Sequence, residues 1–283
     1  MKTFTCILLL AAITFQSYAI DFVSALQQKK VKVEAQFFNL GKEGLTLELY
    51  NPSKDSLKLI IEGGTIFIPK SNEEQTLLNV EEEFIVIAPM GNFSINVGAY
   101  CTMLHKHVPT TEGNSFSYSK TTDQKLLAFV NFVKQHKIDE GNYQQAVWVI
   151  TDNQDLAFVD PDLKGGKELR DFLGGMTSQP AKWYTIRFDM FAIPGQPVQR
   201  TSSTIEGFIS LQPNVRVATY LTIEDANHKI IRRIDQQTIV FERNDSKQVP
   251  ITLVIGDWES GKYTLTIRNQ LNSQPLKSFE FEL

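Results

Sequence analysis

The chain has 283 residues, with 28 Lys+Arg against 32 Asp+Glu, 42% hydrophobic content and two cysteines. A formal charge of −4 gives no global electrostatic case for nucleic acid or anionic membrane as partner. Nineteen Phe and a charged fraction of 21% exclude wholesale disorder, and two cysteines cannot build a disulfide-rich scaffold or a four-thiolate zinc site.

The N-terminus carries one basic residue, Lys2, then an apolar run from Phe4 to Phe15 and a small-x-small pattern at Ser17-Tyr18-Ala19. This is the three-part form of a secretory signal peptide, residues 1–19, with cleavage after Ala19 or Ile20. An uncleaved N-terminal anchor is the alternative, but the run is shorter than the ~20 residues a bilayer requires. Cleavage removes Lys2 and Cys6, leaving 27 basic and 32 acidic residues and a single cysteine, Cys101. The remainder has no apolar stretch approaching ~18 residues, so no transmembrane segment is expected after cleavage. The expected location is secreted, periplasmic or cell-surface.

From Lys30 to Cys101 the hydrophobic period is two. Val31, Val33, Ala35 and Phe37 share a face; Leu45, Leu47 and Leu49 repeat the pattern before the turn Asn51-Pro52-Ser53. Leu57, Leu59 and Ile61, then Ile66 and Ile68, then Glu83 to Ile87 and Phe93 to Val97 continue it. Short alternating runs separated by turn residues predict an antiparallel β-sandwich over 20–109. The acidic run Glu81-Glu82-Glu83 reads as a solvated loop.

Near Thr121 the period becomes helical. Thr122 or Asp123 can cap a helix bearing Leu126, Leu127, Val130 and Val133. A second helix is predicted from Asn142 with Ala146, Val147 and Ile150, and a third from Lys167 to Leu173 that Gly174-Gly175 would stop. These make a small helical unit, 110–180, closed by a linker with Pro180.

From Trp183 the period of two returns, in Tyr184–Phe188, Val215–Thr219, Ile239–Phe241, Pro250–Ile255, Gly261–Ile267 and Ser278–Leu283. The segment 261–267 looks like a penultimate strand of immunoglobulin-like or fibronectin-like modules. The expected fold is mainly β: two antiparallel β-sandwich modules, the second at 181–283, flanking a small α-helical unit. No short repeat is present.

Chemistry centres on Cys101, in Tyr100-Cys101-Thr102-Met103-Leu104-His105-Lys106-His107, and on Tyr143-Gln144-Gln145-Ala146-Val147-Trp148. Over about 50 residues, Tyr100 to Ile150, this pair of motifs resembles the thioester domains of bacterial surface adhesins. That family joins an aromatic-Cys motif to the Gln of a Thr-Gln-x-Ala-aliphatic-Trp motif. The match implies Cys101 and Gln144 as thioester partners, with Tyr100, His105, His107 and Trp148 as possible assisting residues. Tyr143 stands where the family has Thr.

The underlying chemistry is simple. A primary amide is a poor electrophile, so thiol and amide must be held together away from water. Loss of ammonia then stores a thioester that a target amine or hydroxyl attacks once, without turnover. The alternative is ordinary: Ala146, Val147 and Trp148 as helix core, Gln144 as a polar residue near the helix start, and Cys101 as a small buried hydrophobe.

Other constellations share these residues. Cys101, His105 and His107 form C-x3-H-x-H, a weak metal-ligand set needing one more donor. A Cys/His hydrolase would pair Cys101 with His105, His107 or His136, yet the cysteine ends a strand and not the start of a helix. No Gly-x-Ser-x-Gly, phosphate-loop or His-Glu-x-x-His motif occurs. Asp152-Asn153-Gln154-Asp155 reads as the turn ending the second helix. Asn92-Phe93-Ser94 and Asn244-Asp245-Ser246 are glycosylation acceptors in a eukaryotic source only. Trp183, Trp258 and Tyr263 are candidates for a carbohydrate-stacking face or for core.

The sequence thus leads to a secreted or cell-envelope binding or structural protein that recognises or attaches to a protein or glycan, with no cofactor. Enzymatic turnover is the less favoured expectation.

Overall fold

The computed structural model of the chain describes residues 18–110 and 115–283. The signal peptide predicted at 1–19 therefore lies, except for Tyr18 and Ala19, outside the described residues.

The first sandwich consists of β1 (Ile20–Asp21), β2 (Lys32–Phe37), β3 (Gly41–Tyr50), β4 (Leu57–Ile61), β5 (Thr65–Pro69), β6 (Leu77–Leu78), β7 (Glu83–Ile87), β8 (Asn92–Cys101) and β9 (Phe116–Lys120). One sheet has the order β1-β4-β7 and the other β2-β3-β8-β6-β5-β9. All pairings are antiparallel except the short β1–β4 pair. The alternation seen in sequence is the alternation of burial: Leu45, Leu47, Leu49, Leu59, Ile61, Ile85 and Ile87 face the interior. Strand β9 lies beyond residue 109, so the larger sheet takes its last strand from the stretch expected to be purely helical.

Two features of this module had no signal in the two-residue period. Helix α1 (Phe22–Gln27) starts where Asp21 Oδ2 accepts the Ser24 N–H at 3.0 Å, and it buries Phe22, Val23 and Ala25. Six residues are too few for a helical period to stand out. The other is the two-residue strand β6, which links β8 to β5.

Helix α2 (Gln124–Gln135) is capped by Asp123, whose Oδ1 accepts from the Lys125 and Leu126 N–H groups. Helix α3 (Tyr143–Thr151) follows Asn142 as expected and is buried on nearly all sides. Helix α4 (Gly166–Thr177) departs from expectation. It runs through Gly174-Gly175 and ends at Ser178, which takes the left-handed conformation at φ 58°. Gly174 is there for packing: a Cβ would lie 3.2 Å from the Gln179 carbonyl oxygen and 3.3 Å from Leu156 Cδ1.

The second sandwich comprises β10 (Tyr184–Phe191), β11 (Gln199–Leu211), β12 (Val217–Glu224), β13 (Ile230–Phe241), β14 (Lys247–Val254), β15 (Lys262–Asn269) and β16 (Pro275–Glu282). Its sheets have the orders β10-β11-β14 and β13-β12-β15-β16, with every pairing antiparallel. Ile186, Ile205, Ile209, Leu253, Leu265, Ile267 and Phe281 fill the space between them. Strand β11 escaped the sequence reading because its first half, Arg200-Thr201-Ser202-Ser203-Thr204, has no apolar residue to alternate.

Three guanidinium groups join this sandwich to the helical unit. Arg170 on α4 donates to the carbonyl oxygens of Val159, Ala157 and Tyr184 and to Thr185 Oγ1. Burial lowers its pKa to about 10, against the opposing pull of Asp160, Asp155 and Asp162. Arg187 on β10 bonds to Asp160, Asp162 and Glu206. Arg200 on β11 donates to Gln154 Oε1. Its guanidinium lies 5.5 Å from the Trp148 ring centre and 4.9 Å from that of Phe158.

Candidate thiol–carboxamide site

Cys101 is the last residue of β8 and is wholly buried, as a free thiol. Here β8 pairs with β6 on one side only, with Leu77 opposite Cys101. The Thr102 N–H donates across that side to the Thr76 carbonyl at 3.0 Å. Main-chain polar groups alternate along a strand, so those of Cys101 point the opposite way, toward β3. But β3 has already ended, its last pairing being Gly41 with Ala99. A buried N–H and C=O are thus left without a ladder partner, and each needs one.

Gln144 provides both. The Cys101 N–H donates to Gln144 Oε1 at 2.9 Å, and Gln144 Nε2 donates to the Cys101 carbonyl at 2.9 Å. The two residues expected as a pair are therefore brought together across 43 positions, at the contact of β8 with α3. Gln144 is 5% exposed and Cys101 0%. Burial, followed by the negative charge of Asp152, pushes the Cys101 thiol far above its ordinary pKa. Burial thus favours the neutral thiol over the thiolate at this site.

The carboxamide-on-backbone arrangement recurs nearby. Asn142 Nδ2 donates to the Asp160 carbonyl at 2.8 Å, and Asn142 Oδ1 accepts the Asp160 N–H at 2.7 Å. This use of the side chain explains why Asn142 makes no side-chain cap to α3. Gln75 likewise spans the loop after Cys101, accepting from the Met103 N–H and donating to the Lys106 carbonyl. Asp152 Oδ1 holds the same loop through the Leu104 N–H at 3.0 Å.

The other expected residues fall as follows. Tyr100 is buried against Tyr143, ring centres 5.6 Å apart, with its phenol pushed up by burial. Tyr143 also packs on Phe129 and donates to Glu81 Oε1 at 3.1 Å. Trp148 lies one helical turn beyond Gln144, in the same core cluster as Cys101. Its ring is fully buried, and its Nε1–H has no acceptor among the described residues.

The histidines do not join this site. His105 is exposed, and His107 is half-buried with its backbone bridged to Glu74 and Pro197. His136 caps α2 and stacks on Phe132 at 4.1 Å. Among the described residues no group of three or more His, Cys, Asp or Glu is placed to hold a metal ion. Cys101 faces the core at the end of a strand, while His105 faces solvent four residues on.

Asp152–Asp155 forms the turn after α3, as expected, with Asn153 at φ 53°. Its larger role was missed. Gln154 Nε2 donates to Gln145 Oε1 at 2.7 Å, and Gln154 Oε1 accepts from Arg200. No local signal ties Arg200 to residues about 50 positions earlier in the chain. Trp183, Trp258 and Tyr263 do meet, all within 6.3 Å of Phe281 measured between ring centres. They turn faces and edges toward one another, and Tyr263 is buried, so their packing is that of a core margin. The groove of about 660 Å³ between α4 and the β10–β11–β14 sheet is lined by Arg170, Trp183 and Phe208, and by neither Cys101 nor Gln144.

No protein-family model matches the sequence, and the comparison with curated proteins gave no match. Among solved structures the chain is similar to a β-glucosidase from Kluyveromyces marxianus, with TM-score 0.22, 10% identity, and coverage of 84% of this chain and 44% of that one. It is also similar to a transglutaminase from red sea bream, with TM-score 0.18, 7% identity, and coverage of 90% and 31%. The chain spans less than half the length of either, and similarities this low carry no argument about fold or activity. Among the described residues no helix is long and apolar enough to cross a membrane.

Proposed function

We propose that this protein acts outside the cytoplasm by attachment without turnover, and that Cys101 and Gln144 are the pair that makes the attachment covalent. The observation that carries this reading is the seating of the Gln144 carboxamide on Cys101 itself, in a site closed to water. In the forming step Cys101 Sγ bonds to Gln144 Cδ, the C–N bond breaks, and the thiol proton leaves with the amide nitrogen as ammonia. A target amine then attacks Cδ, the C–S bond breaks, and the thiol takes the proton released by the amine. The Cys101 N–H already points at Oε1, so it withdraws electron density from the carbonyl to be attacked. The unpartnered indole N–H of Trp148 is a second donor within the same core cluster. The signal peptide expected at 1–19, and the single cysteine its cleavage would leave, fit this use.

A second reading is favoured by Asn142, which makes the same two bonds to Asp160 with no thiol present. In it, Gln144 is a brace that completes the edge of β8, and the protein binds its partner without a covalent bond.

Intact mass separates the two. A thioester makes the purified chain lighter by about 17 Da than its sequence, and methylamine then adds to it. Gln144→Ala should abolish both changes. An unmodified mass, with Cys101 alkylated once the chain is unfolded, leaves the brace as the correct reading.

A further inference from the structure

The loop that follows Cys101 is held from two sides. On one, the His107 N–H donates to the Glu73 carbonyl and the Gln75 N–H to the His107 carbonyl, at 2.9 and 2.8 Å. On the other, the partner is the turn between β10 and β11, which belongs to the second sandwich. The Val108 N–H donates to the Gln196 carbonyl at 2.8 Å, and the Gly195 N–H donates to the Val108 carbonyl at 2.9 Å. Gly195 sits at φ 76°, so Pro194-Gly195 forms a tight turn whose outer residues Ile193, Gln196 and Pro197 are exposed.

The same hairpin packs on the core to which the thiol belongs. Met190, Ala192 and Val198 pack against the cluster that contains Cys101, Val108 and Trp148. Arg200, at the hairpin's base, lies over the rings of Trp148 and Phe158 and bonds to Gln154. Gln154 in turn holds Gln145, the neighbour of Gln144 on α3. A segment attached by two backbone bonds, three half-buried side chains and one guanidinium can open without the sheets coming apart.

We infer that the β10–β11 hairpin, from Met190 to Arg200, is the lid of the Cys101–Gln144 site, and that Arg200 is its latch. With the lid in place no nucleophile reaches Gln144 Cδ; with it lifted, the cluster around Trp148 opens toward solvent. The consequence for attachment rests on the thioester reading, whereas the lid itself does not. In either case the second sandwich regulates access to a group on the first.

The test uses the full chain and its Arg200→Ala and Arg216→Ala variants, Arg216 being exposed and ion-paired with Glu242. If intact mass shows the thioester, the rate of methylamine addition is followed; if it shows a free thiol, the rate of Cys101 alkylation by iodoacetamide under native conditions. R200A, which loses the contacts to Trp148, Phe158 and Gln154, should react at least about tenfold faster than the parent, and R216A at the parental rate. Equal rates for R200A and the parent overturn the lid, whichever form the mass shows. If R200A does not fold, the parent alone decides through the effect of dilute urea. A lid gives a rate with much weaker urea dependence than global unfolding; a dependence equal to that of unfolding overturns it.

Discussion

The Gln144 carboxamide occupies the place beside Cys101 that a neighbouring strand would have taken, accepting its N–H and donating to its C=O, both at 2.9 Å. Whatever chemistry follows, this contact is structural first. Strand β3 stops at Gly41 opposite Ala99, and helix α3 arrives where the next strand residue would have been. A side chain with one donor and one acceptor on a single carbon fits that gap, and a carboxylate or an aliphatic chain does not.

Replacing Gln144 by Met keeps the volume and removes both bonds, leaving a buried N–H and C=O unpaired. The expected cost is about 2–4 kcal/mol of folding stability, measured by urea unfolding. Gln144→Glu should be similarly costly near pH 7, since its carboxylate would place an oxygen against the Cys101 carbonyl. A loss below about 0.5 kcal/mol in Q144M would mean that water or the backbone takes over the role.

In the second sandwich, Arg268 bonds to Glu224 at 2.7 Å with both side chains largely buried. Burial alone would raise the Glu224 pKa, but hydrogen bonds from Arg268 and Thr222 outweigh it, and the net shift is downward. A carboxylate with a lowered folded pKa contributes stability above its unfolded value that is lost as pH falls through the folded one. Stability should therefore decline from about pH 4.5 downward, and Glu224→Gln should remove that part of the slope while lowering stability at pH 7. Parallel pH slopes for parent and E224Q would show that the pair does not couple to folding.

The two glycines near the end of α4 should respond differently to alanine. At Gly175 a Cβ meets nothing within 4 Å, so Gly175→Ala is expected to stabilise by about 0.5–1 kcal/mol, read as a higher Tm. At Gly174 the Gln179 carbonyl and Leu156 crowd the added methyl, so the same change should gain less or destabilise.

These glycines also show where sequence reading succeeds and fails. Local chemistry was legible: Asp123 as cap, the alternation of Leu45, Leu47 and Leu49, and the start of α3 after Asn142. Gly174-Gly175 carried the usual mark of a helix end, yet the helix continues because α4 must pass close to Leu156 and Gln179. The pairing of Cys101 with Gln144 was accessible through motif resemblance alone, since nothing local to either residue reveals a contact across 43 positions. Arg200 was invisible for the same reason, and its surroundings in sequence are polar and unremarkable. The histidines illustrate the converse. Spacing put His105 and His107 beside Cys101 in sequence, but the chain turns out of the sheet immediately after the cysteine and carries them away.

The three arginines at the junction have a mechanical meaning. Arg170, Arg187 and Arg200 each grip several oxygens or rings across the boundary near residue 180, and a planar guanidinium holding several partners resists both rotation and sliding. A linker that reads as a joint in the sequence is therefore riveted in the fold. Arg170 and Arg187 fix the two modules to each other near residue 180, so that the hairpin from Met190 to Arg200 can lift while its own sandwich stays seated on the helical unit.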